Sequence, residues 1–306
     1  MKRAIPLAIV VAFALIVVVF FVGGDDKQFD GERAMAHVKA IVDLGPRPPG
    51  SEALEASRQY LERELAALGW QTSRQRIVQE TVRGEIEFIN LRARFGDGEM
   101  DWKDGGGLAL ICSHYDTKFY DDFIFVGAND GGSSTGALVE IARVLAFKPS
   151  VAKQVELVFF DGEENIGGEY TPTDGLFGSI YYAKQFRGAP PEKKPRFGLL
   201  LDMIGEKDVQ IAVPQDSPRI LYRYLTEAAQ ELGVRDRFRL YHQSIIDDHV
   251  PLNQAGIPTI DIIDIEYPVW HTAGDTLDKL SAESLELVCR VTLRALESLL
   301  KSDVGR

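Results

Sequence analysis

This chain has few cysteines, and its acidic residues outnumber its basic residues. The 306 residues include two cysteines, Cys112 and Cys289, which lie far apart and form no Cys-x-x-Cys motif. This argues against a cysteine metal site and favours two buried free thiols, with a disulfide as the alternative. The 34 lysines and arginines face 46 aspartates and glutamates, a formal net charge of −12. Nucleic acid is therefore not an expected partner, because phosphate binding requires clustered basic residues.

Residues 4–22 form a long apolar run without a charged residue. As a helix this run would span about 30 Å, enough to cross a bilayer. Basic residues precede it and acidic residues follow it, so the positive-inside rule places the rest of the chain outside the cytoplasm, in the periplasm or the extracellular space. We expect a signal anchor over residues 1–24 and a linker over 25–30. A cleaved signal peptide, which would release a secreted protein, is the alternative.

The rest of the chain has neither internal repeats nor low-complexity segments. Short apolar runs typical of buried strands alternate with amphipathic segments typical of helices, which predicts a mostly parallel sheet with helices on both faces. The runs lie at residues 108–112, 155–160, 197–202 and 257–263, and two further segments at 71–79 and 85–95 predict antiparallel strands at one side. We therefore expect a three-layer α/β/α sandwich with a mixed central sheet over residues 31–306, preceded by a transmembrane helix.

The stretch VELVFFDGEE, residues 155–164, is the starting point for locating a functional site. Its apolar half predicts a buried strand, and it ends with two adjacent carboxylates, Glu163 and Glu164. In open α/β sheets chemistry takes place just beyond the carboxyl ends of the strands. Two neighbouring glutamates repel each other unless one binds a cation, which leaves the other free to move protons. A solvated acidic turn is the alternative for such a pair taken alone.

Other predicted strand ends deliver ligands of the same types. They are His114 and Asp116, Asp130, Asp202, and His271 in a later segment. Taken singly, each has an ordinary structural role: a core histidine, a helix cap, a turn former or a surface residue. Together, imidazole and carboxylate groups at one rim of a sheet suit Zn²⁺, which binds nitrogen and oxygen ligands in a roughly tetrahedral arrangement.

Six motifs carry a resemblance to a known family. They are SHYDTK at 113–118, FFDGEE at 159–164, DGLFGS at 174–179, LDMIG at 201–205, DDHVP at 247–251 and VWHT at 269–272. In this order they resemble the zinc-dependent glutaminyl cyclases, which share a fold with the di-zinc aminopeptidases of peptidase family M28. The resemblance covers residues 30–300.

The resemblance implies a role for each matching residue. Asp130, Glu164 and His271 would bind the catalytic zinc, and Glu163 would be the general acid and base. Asp202 and Asp247 would form a carboxylate network beside Glu163. Trp270, Tyr170 and Asp261 would contact the substrate's N-terminal residue. A second zinc, as in the aminopeptidases, would be held by His114, Asp130 and Asp202.

The motifs leave two activities open. The Asp247-Asp248 pair before His249, the loop with Tyr170 and the Trp270-His271 pair favour the cyclase. The aminopeptidases usually have Ser-Asp-His at the first of these positions. Two features point the other way: Asp261 stands where animal cyclases have a pocket histidine, and the sequence NDGGS at 129–133 is more typical of the aminopeptidases.

We therefore expect a zinc enzyme that converts N-terminal glutamine of peptides and proteins to pyroglutamate and releases ammonia. One zinc is expected, and two would accompany the alternative, an aminopeptidase that hydrolyses the first peptide bond. A further alternative is a protein that is not an enzyme: a catalytically inactive module on a membrane anchor that binds peptide N-termini. The complete set of ligands and the presence of Glu163 argue against it.

Overall fold

The computed structural model describes residues 27–168, 171 and 173–305. The expected signal anchor at residues 1–24 lies outside the described residues, as do residues 25 and 26 of the expected linker. Within the described residues, no helix has the length and apolar character needed to cross a bilayer.

Helices and strands alternate along the described chain. Eight helices span Gly31–Val42 (α1), Glu52–Ala67 (α2), Gly132–Ala146 (α3), Pro149–Ala152 (α4), Phe177–Lys184 (α5), Arg219–Glu231 (α6), His249–Gln254 (α7) and Ala282–Lys301 (α8). Eight strands span Trp70–Thr81 (β1), Gly84–Phe95 (β2), Ala109–His114 (β3), Val155–Phe160 (β4), Phe197–Asp202 (β5), Ile211–Pro214 (β6), Phe238–Tyr241 (β7) and Thr259–Ile263 (β8). Short 3₁₀ segments lie at Pro191–Lys193, Arg235–Arg237 and Leu277–Lys279.

The central sheet has six strands in the order β1-β2-β4-β3-β5-β8. Strands β4, β3, β5 and β8 are parallel to one another, while β1 and β2 form an antiparallel hairpin whose second strand pairs with β4. This confirms the predicted mixed, mostly parallel sheet. Because β3, β4, β5 and β8 point the same way, their carboxyl ends meet at one edge.

The sheet separates two apolar cores, as three layers require. Successive residues of a strand face opposite sides, so Ala109 and Ile111 of β3 pack into the larger core while Leu110 and Cys112 pack into the smaller one. Helices α1, α2, α3, α6 and α8 cover the larger core, and α5 and α7 cover the smaller. Cys112 and Cys289 are buried free thiols, as expected.

Two elements were not expected from the sequence. Strand β7 has only four residues in a highly charged stretch, and it pairs in parallel with β6 in a separate two-stranded sheet. Helix α4 is a single turn that connects α3 to β4. Both are too short to produce a recognisable hydrophobic period.

Helix α3 lies close to α1 at Gly136. A Cβ atom at this position would lie 2.5 Å from the backbone nitrogen of Val38 and 2.9 Å from its Cα. We expect Gly136→Ala to destabilise the domain, because overpacking costs about 1–3 kcal/mol and outweighs the roughly 1 kcal/mol that alanine gains in a helix. Urea unfolding would measure the change. Gly98→Ala, which has open space around it, is the matched control, and equal stability of Gly136→Ala and wild type would contradict this packing.

Candidate metal centre and active site

The carboxyl edge of the sheet brings the predicted site residues together. His114 is the last residue of β3, Asp202 is the last residue of β5, and Glu163 and Glu164 follow β4 by three and four residues. Asp130 precedes α3, and His271 lies in the loop between β8 and α8. Residues separated by up to 157 positions in the chain thus line one site, as the parallel strands predict.

Asp130, Glu164 and His271 form one compact trio. His271 Nε2 lies 3.0 Å from Glu164 Oε1 and 3.3 Å from Asp130 Oδ2, and ligand atoms of all three lie within 4.8 Å of one another. Tetrahedral zinc holds oxygen and nitrogen ligands at about 2.0–2.2 Å, so pairs of its ligand atoms are about 3.3–3.6 Å apart. The trio therefore fits a zinc ion, and its two carboxylates would balance the ion's charge.

A second trio shares Asp130 with the first. His114 Nε2 lies 3.2 Å from Asp130 Oδ1 and 3.2 Å from Asp202 Oδ1. The two oxygens of Asp130 thus face different histidines, as in a carboxylate that bridges two metal ions. The arrangement fits one ion in the first trio with His114 hydrogen-bonded to acids, and it equally fits two ions.

Backbone contacts hold Asp130 in place. The buried carboxylate of Asp275 accepts hydrogen bonds from the backbone nitrogens of Asn129 (2.8 Å) and Asp130 (3.1 Å) and from the hydroxyl of Tyr267 (2.9 Å). Gly131, next in the chain, has φ of 72°, and a Cβ there would lie 2.5 Å from the carbonyl oxygen of Asp116. The turn that delivers Asp130 therefore requires glycine.

Asp116 holds the two glutamates. Its carboxylate oxygens face the backbone nitrogens of Glu163 at 3.3 Å and Glu164 at 3.4 Å. Burial raises the pKa of the Glu163 carboxyl well above its usual range, and the negative charge of Asp247 adds to this shift, although His114 opposes it. A positive charge bound by the neighbouring trio would lower that pKa again. A buried carboxyl with a raised pKa next to a candidate metal site is a candidate general acid–base group.

Further acids lie behind Glu163. Asp202, Asp247, Asp248 and Asp261 are at most 7% exposed. Burial raises the pKa of Asp247 well above its usual range, and the nearby Asp202 and Asp248 raise it further. Asp247 and Asp202 both border the same cavity as Glu163. This is the location that the resemblance implies for a carboxylate network.

A cavity of about 640 Å³ opens beside the trio, with apolar walls that include Met203, Ile263 and Ile265. Trp270 borders it, remains 42% exposed, and stacks on the ring of His271 at a centroid distance of 4.2 Å. Tyr170 lies outside the described residues. Asp261 differs from the expectation: it is fully buried and is not part of the cavity wall. It is the central residue of β8, and because its neighbours Ile260 and Ile262 face the larger core, Asp261 faces the opposite side of the sheet.

Backbone strain is concentrated at this cavity. Within the described residues, the non-glycine residues with positive φ are Leu176 (54°), Met203 (48°) and His271 (57°), and all three border the cavity. Such conformations cost roughly 1–3 kcal/mol each and occur mainly where function requires them. At His271 the strain aims the imidazole at Asp130 and Glu164.

The sequence reading missed several residues around the trio. Lys118 is 7% exposed, lies 3.4 Å from Glu164 Oε2 and donates a hydrogen bond to Asn165. Tyr120 and Phe125 pack edge-on against the His271 ring. Lys118 follows Asp116 by two residues, and this position just after a predicted strand end could have identified it as a site residue. The sequence contains no such indication for Asp275, because this residue binds the backbone of a distant segment.

Asp275 offers a test of how the first trio is held. We expect Asp275→Ala to raise the dissociation constant for zinc about 10- to 100-fold, because groups that orient metal ligands contribute that much to affinity. Competition with a chromogenic chelator would measure it. Asp278→Ala, three residues away and on the surface, is the control and should bind zinc like wild type. Unchanged affinity in Asp275→Ala would show that Asp130 is positioned without it.

Comparison with known proteins agrees with this geometry. The profile of peptidase family M28 matches residues 100–296. Glutaminyl-peptide cyclotransferase of Drosophila melanogaster is 28% identical over 86% of this chain and 81% of its own length.

Solved structures extend the comparison. The structure of an Acidobacteriales bacterium glutaminyl cyclase superposes with a TM-score of 0.78 at 32% identity, over 89% of this chain and 95% of that one. A structure from Bacteroides thetaiotaomicron described as a leucine aminopeptidase precursor gives 0.76 at 27% identity, over 88% and 97%. Since the family profile covers most of the chain and the Acidobacteriales cyclase matches it nearly end to end, the chain belongs to peptidase family M28 and, within it, to the glutaminyl cyclases.

Proposed function

We propose that this protein is a zinc-dependent glutaminyl-peptide cyclotransferase, which converts N-terminal glutamine to pyroglutamate with release of ammonia. The observation that carries this proposal is the placement of Glu163 beside the Asp130–Glu164–His271 trio, with Asp202 and Asp247 bordering the same cavity. The similarity to glutaminyl cyclases over most of the chain supports it. One zinc per chain is sufficient, with His114 hydrogen-bonded between Asp130 and Asp202.

The cavity walls would bind and fold the substrate. Cyclisation joins the α-amino nitrogen to the carbonyl carbon of the γ-carboxamide of the same residue, so the enzyme must hold the side chain bent back on its own backbone. Trp270, which stacks on His271 and borders the cavity, is placed to press the glutamine into that shape. Holding the two reacting groups together supplies much of the acceleration. Asp130, Glu164 and His271 would hold the zinc, which would supply a Lewis acid for the γ-carboxamide oxygen.

Glu163 would carry the proton. Its carboxylate accepts a proton from the α-amino group as the nitrogen bonds to the carbonyl carbon of the γ-carboxamide. The same carboxyl then donates that proton to the amide nitrogen, which leaves as ammonia. A group that acts first as base and then as acid works best with a pKa near the working pH. Burial raises the pKa of Glu163, and the negative charge of Asp247 raises it further.

Replacing Glu163 separates proton transfer from metal binding. We expect Glu163→Gln to reduce kcat by at least about 100-fold, since general acid–base groups contribute about 10²–10⁴, while bound zinc stays at the wild-type level. Activity on a glutaminyl peptide and elemental analysis would measure the two. The exposed Glu99→Gln serves as the control. Loss of zinc together with activity would mean that Glu163 is a metal ligand and that its assigned role is wrong.

The aminopeptidase alternative differs in its products. The geometry could also let Glu163 activate a water molecule against the first peptide bond, and one similar structure is described as a leucine aminopeptidase precursor. We expect the purified protein to release ammonia from Gln-initiated peptides without free glutamine, and to leave Leu-initiated peptides intact. Coupled ammonia detection and amino-acid analysis would measure both products. Release of free leucine, with no ammonia from the glutaminyl peptide, would show that the protein is an aminopeptidase and not a cyclase.

A further inference from the structure

Two isoleucines stand at the mouth of the substrate cavity. Ile180 is 41% exposed and Ile246 is 54% exposed, and both border the cavity, whereas Met203 and Ile263, which also line it, are at most 2% exposed. Exposure therefore separates a buried floor from an open mouth. Ile180 lies on α5 and Ile246 in the loop before α7, so two separate segments each place an apolar side chain at one opening.

Core packing does not account for these two side chains. Neither is part of a buried apolar cluster formed by the described residues, although their neighbours are. Tyr182 and Ala183 of α5 pack into the smaller core, and Ile245 packs into a small cluster beside the cavity. Ile180 and Ile246 instead leave apolar surface in water at the same opening. Grouped apolar surface of this kind is typical of a binding site.

A peptide substrate would have to pass this mouth. The proposed reaction places the N-terminal glutamine against Glu163 and the metal-binding trio, in the buried part of the cavity. The rest of the peptide continues from the carbonyl group of that glutamine and must leave through the opening. The second residue of the peptide would therefore lie at the mouth, where Ile180 and Ile246 are exposed.

The charges of the cavity disfavour an acidic residue at this position. Among the described residues that line it, six are acids and Lys118, which lies 3.4 Å from Glu164 Oε2, is the one lysine or arginine. A second acid in the substrate would meet repulsion. Five of the six acids belong to the catalytic centre. The sixth, Asp174, already accepts hydrogen bonds from the backbone nitrogens of Ile166 (2.9 Å) and Gly167 (2.7 Å). The mouth therefore offers an apolar contact and not a charged one.

We propose that Ile180 and Ile246 form a subsite for a bulky apolar side chain, so that the enzyme prefers peptides with a residue such as leucine directly after the N-terminal glutamine. This inference rests on the proposed cyclase function and adds a substrate class to it. Contact between the side chain and the two isoleucines removes apolar surface from water on both partners, which favours binding. Glycine at the second position gains nothing from this contact.

Tripeptides that differ only in the second residue test the subsite. Ammonia release by the full-length, zinc-loaded protein would be measured with Gln-Leu-Ala, Gln-Gly-Ala, Gln-Glu-Ala and Gln-Lys-Ala. We expect kcat/KM to be about 10-fold higher for the leucine peptide than for the glycine peptide, at the low end of what a hydrophobic pocket provides, and lowest for the glutamate peptide. Equal values for leucine and glycine would overturn the proposal. So would fastest turnover of the lysine peptide, because the charge of the cavity would then select the substrate.

Variants of the two isoleucines assign the preference to them. The ratio of kcat/KM for the leucine peptide to that for the glycine peptide should fall to near 1 in Ile180→Ser/Ile246→Ser and remain high in Ile180→Leu/Ile246→Leu. Val78→Ser is the matched control, since Val78 is also 54% exposed but does not border the cavity. The ratio cancels the fraction of folded protein, so partial unfolding cannot imitate the expected result. A wild-type ratio in the double serine variant would contradict the subsite.

Peptide binding separates this inference from the cyclase assignment. In zinc-loaded Glu163→Gln, calorimetry should give a dissociation constant about 10-fold lower for Gln-Leu-Ala than for Gln-Gly-Ala, whether or not the wild-type protein releases ammonia. Equal dissociation constants would overturn the subsite. A lack of ammonia from every glutaminyl peptide would instead overturn the proposed function.

Discussion

The structure depends on concentrated negative charge that is buried at one edge of a sheet. Asp130, Glu164 and Asp202 lie within a few ångströms of two histidines, and further acids lie directly behind them. Carboxylates that crowd together out of water repel one another and resist ionisation, and only protons or cations relieve this repulsion. A zinc ion held by the trio would relieve this repulsion. Glu163 lies beside the trio but is not part of it, so its carboxyl would remain available to exchange a proton.

The fold stabilises this cluster of acids by fixing the backbone around it. Asp116 binds the backbone of Glu163 and Glu164, and Asp275 binds the backbone of Asn129 and Asp130. These acids use their charge to hold loops rather than to bind substrate. The two apolar cores on either side of the sheet supply the stability that strained residues such as His271 reduce. The rigid strands, and the loops held by these hydrogen bonds, together preorganise the ligands.

The same centre is compatible with hydrolysis and with cyclisation, which explains why related structures carry both descriptions. In either reaction a carbonyl carbon is attacked and a proton is transferred, and a metal held by the trio would polarise that carbonyl. The nucleophile makes the difference: a water molecule in one case, the substrate's own amino group in the other. The fold and the candidate ligand set are therefore compatible with both activities, and the proposed cyclase activity depends on the cavity around Trp270 and on the acids behind Glu163.

The sequence by itself determined the order of most elements and the mixed sheet, because alternating apolar runs are local patterns, and its resemblance to a known family predicted the trio. The helix that begins after Ser51 and the strand Phe197–Asp202 were both predictable in this way. Tertiary structure alone decided the rest. That Asp261 turns inward to meet His249, that Lys118 reaches Glu164 and that Asp275 supports Asp130 depends on contacts between distant segments. Strand register and loop paths set these contacts, and no local period in a single chain encodes them.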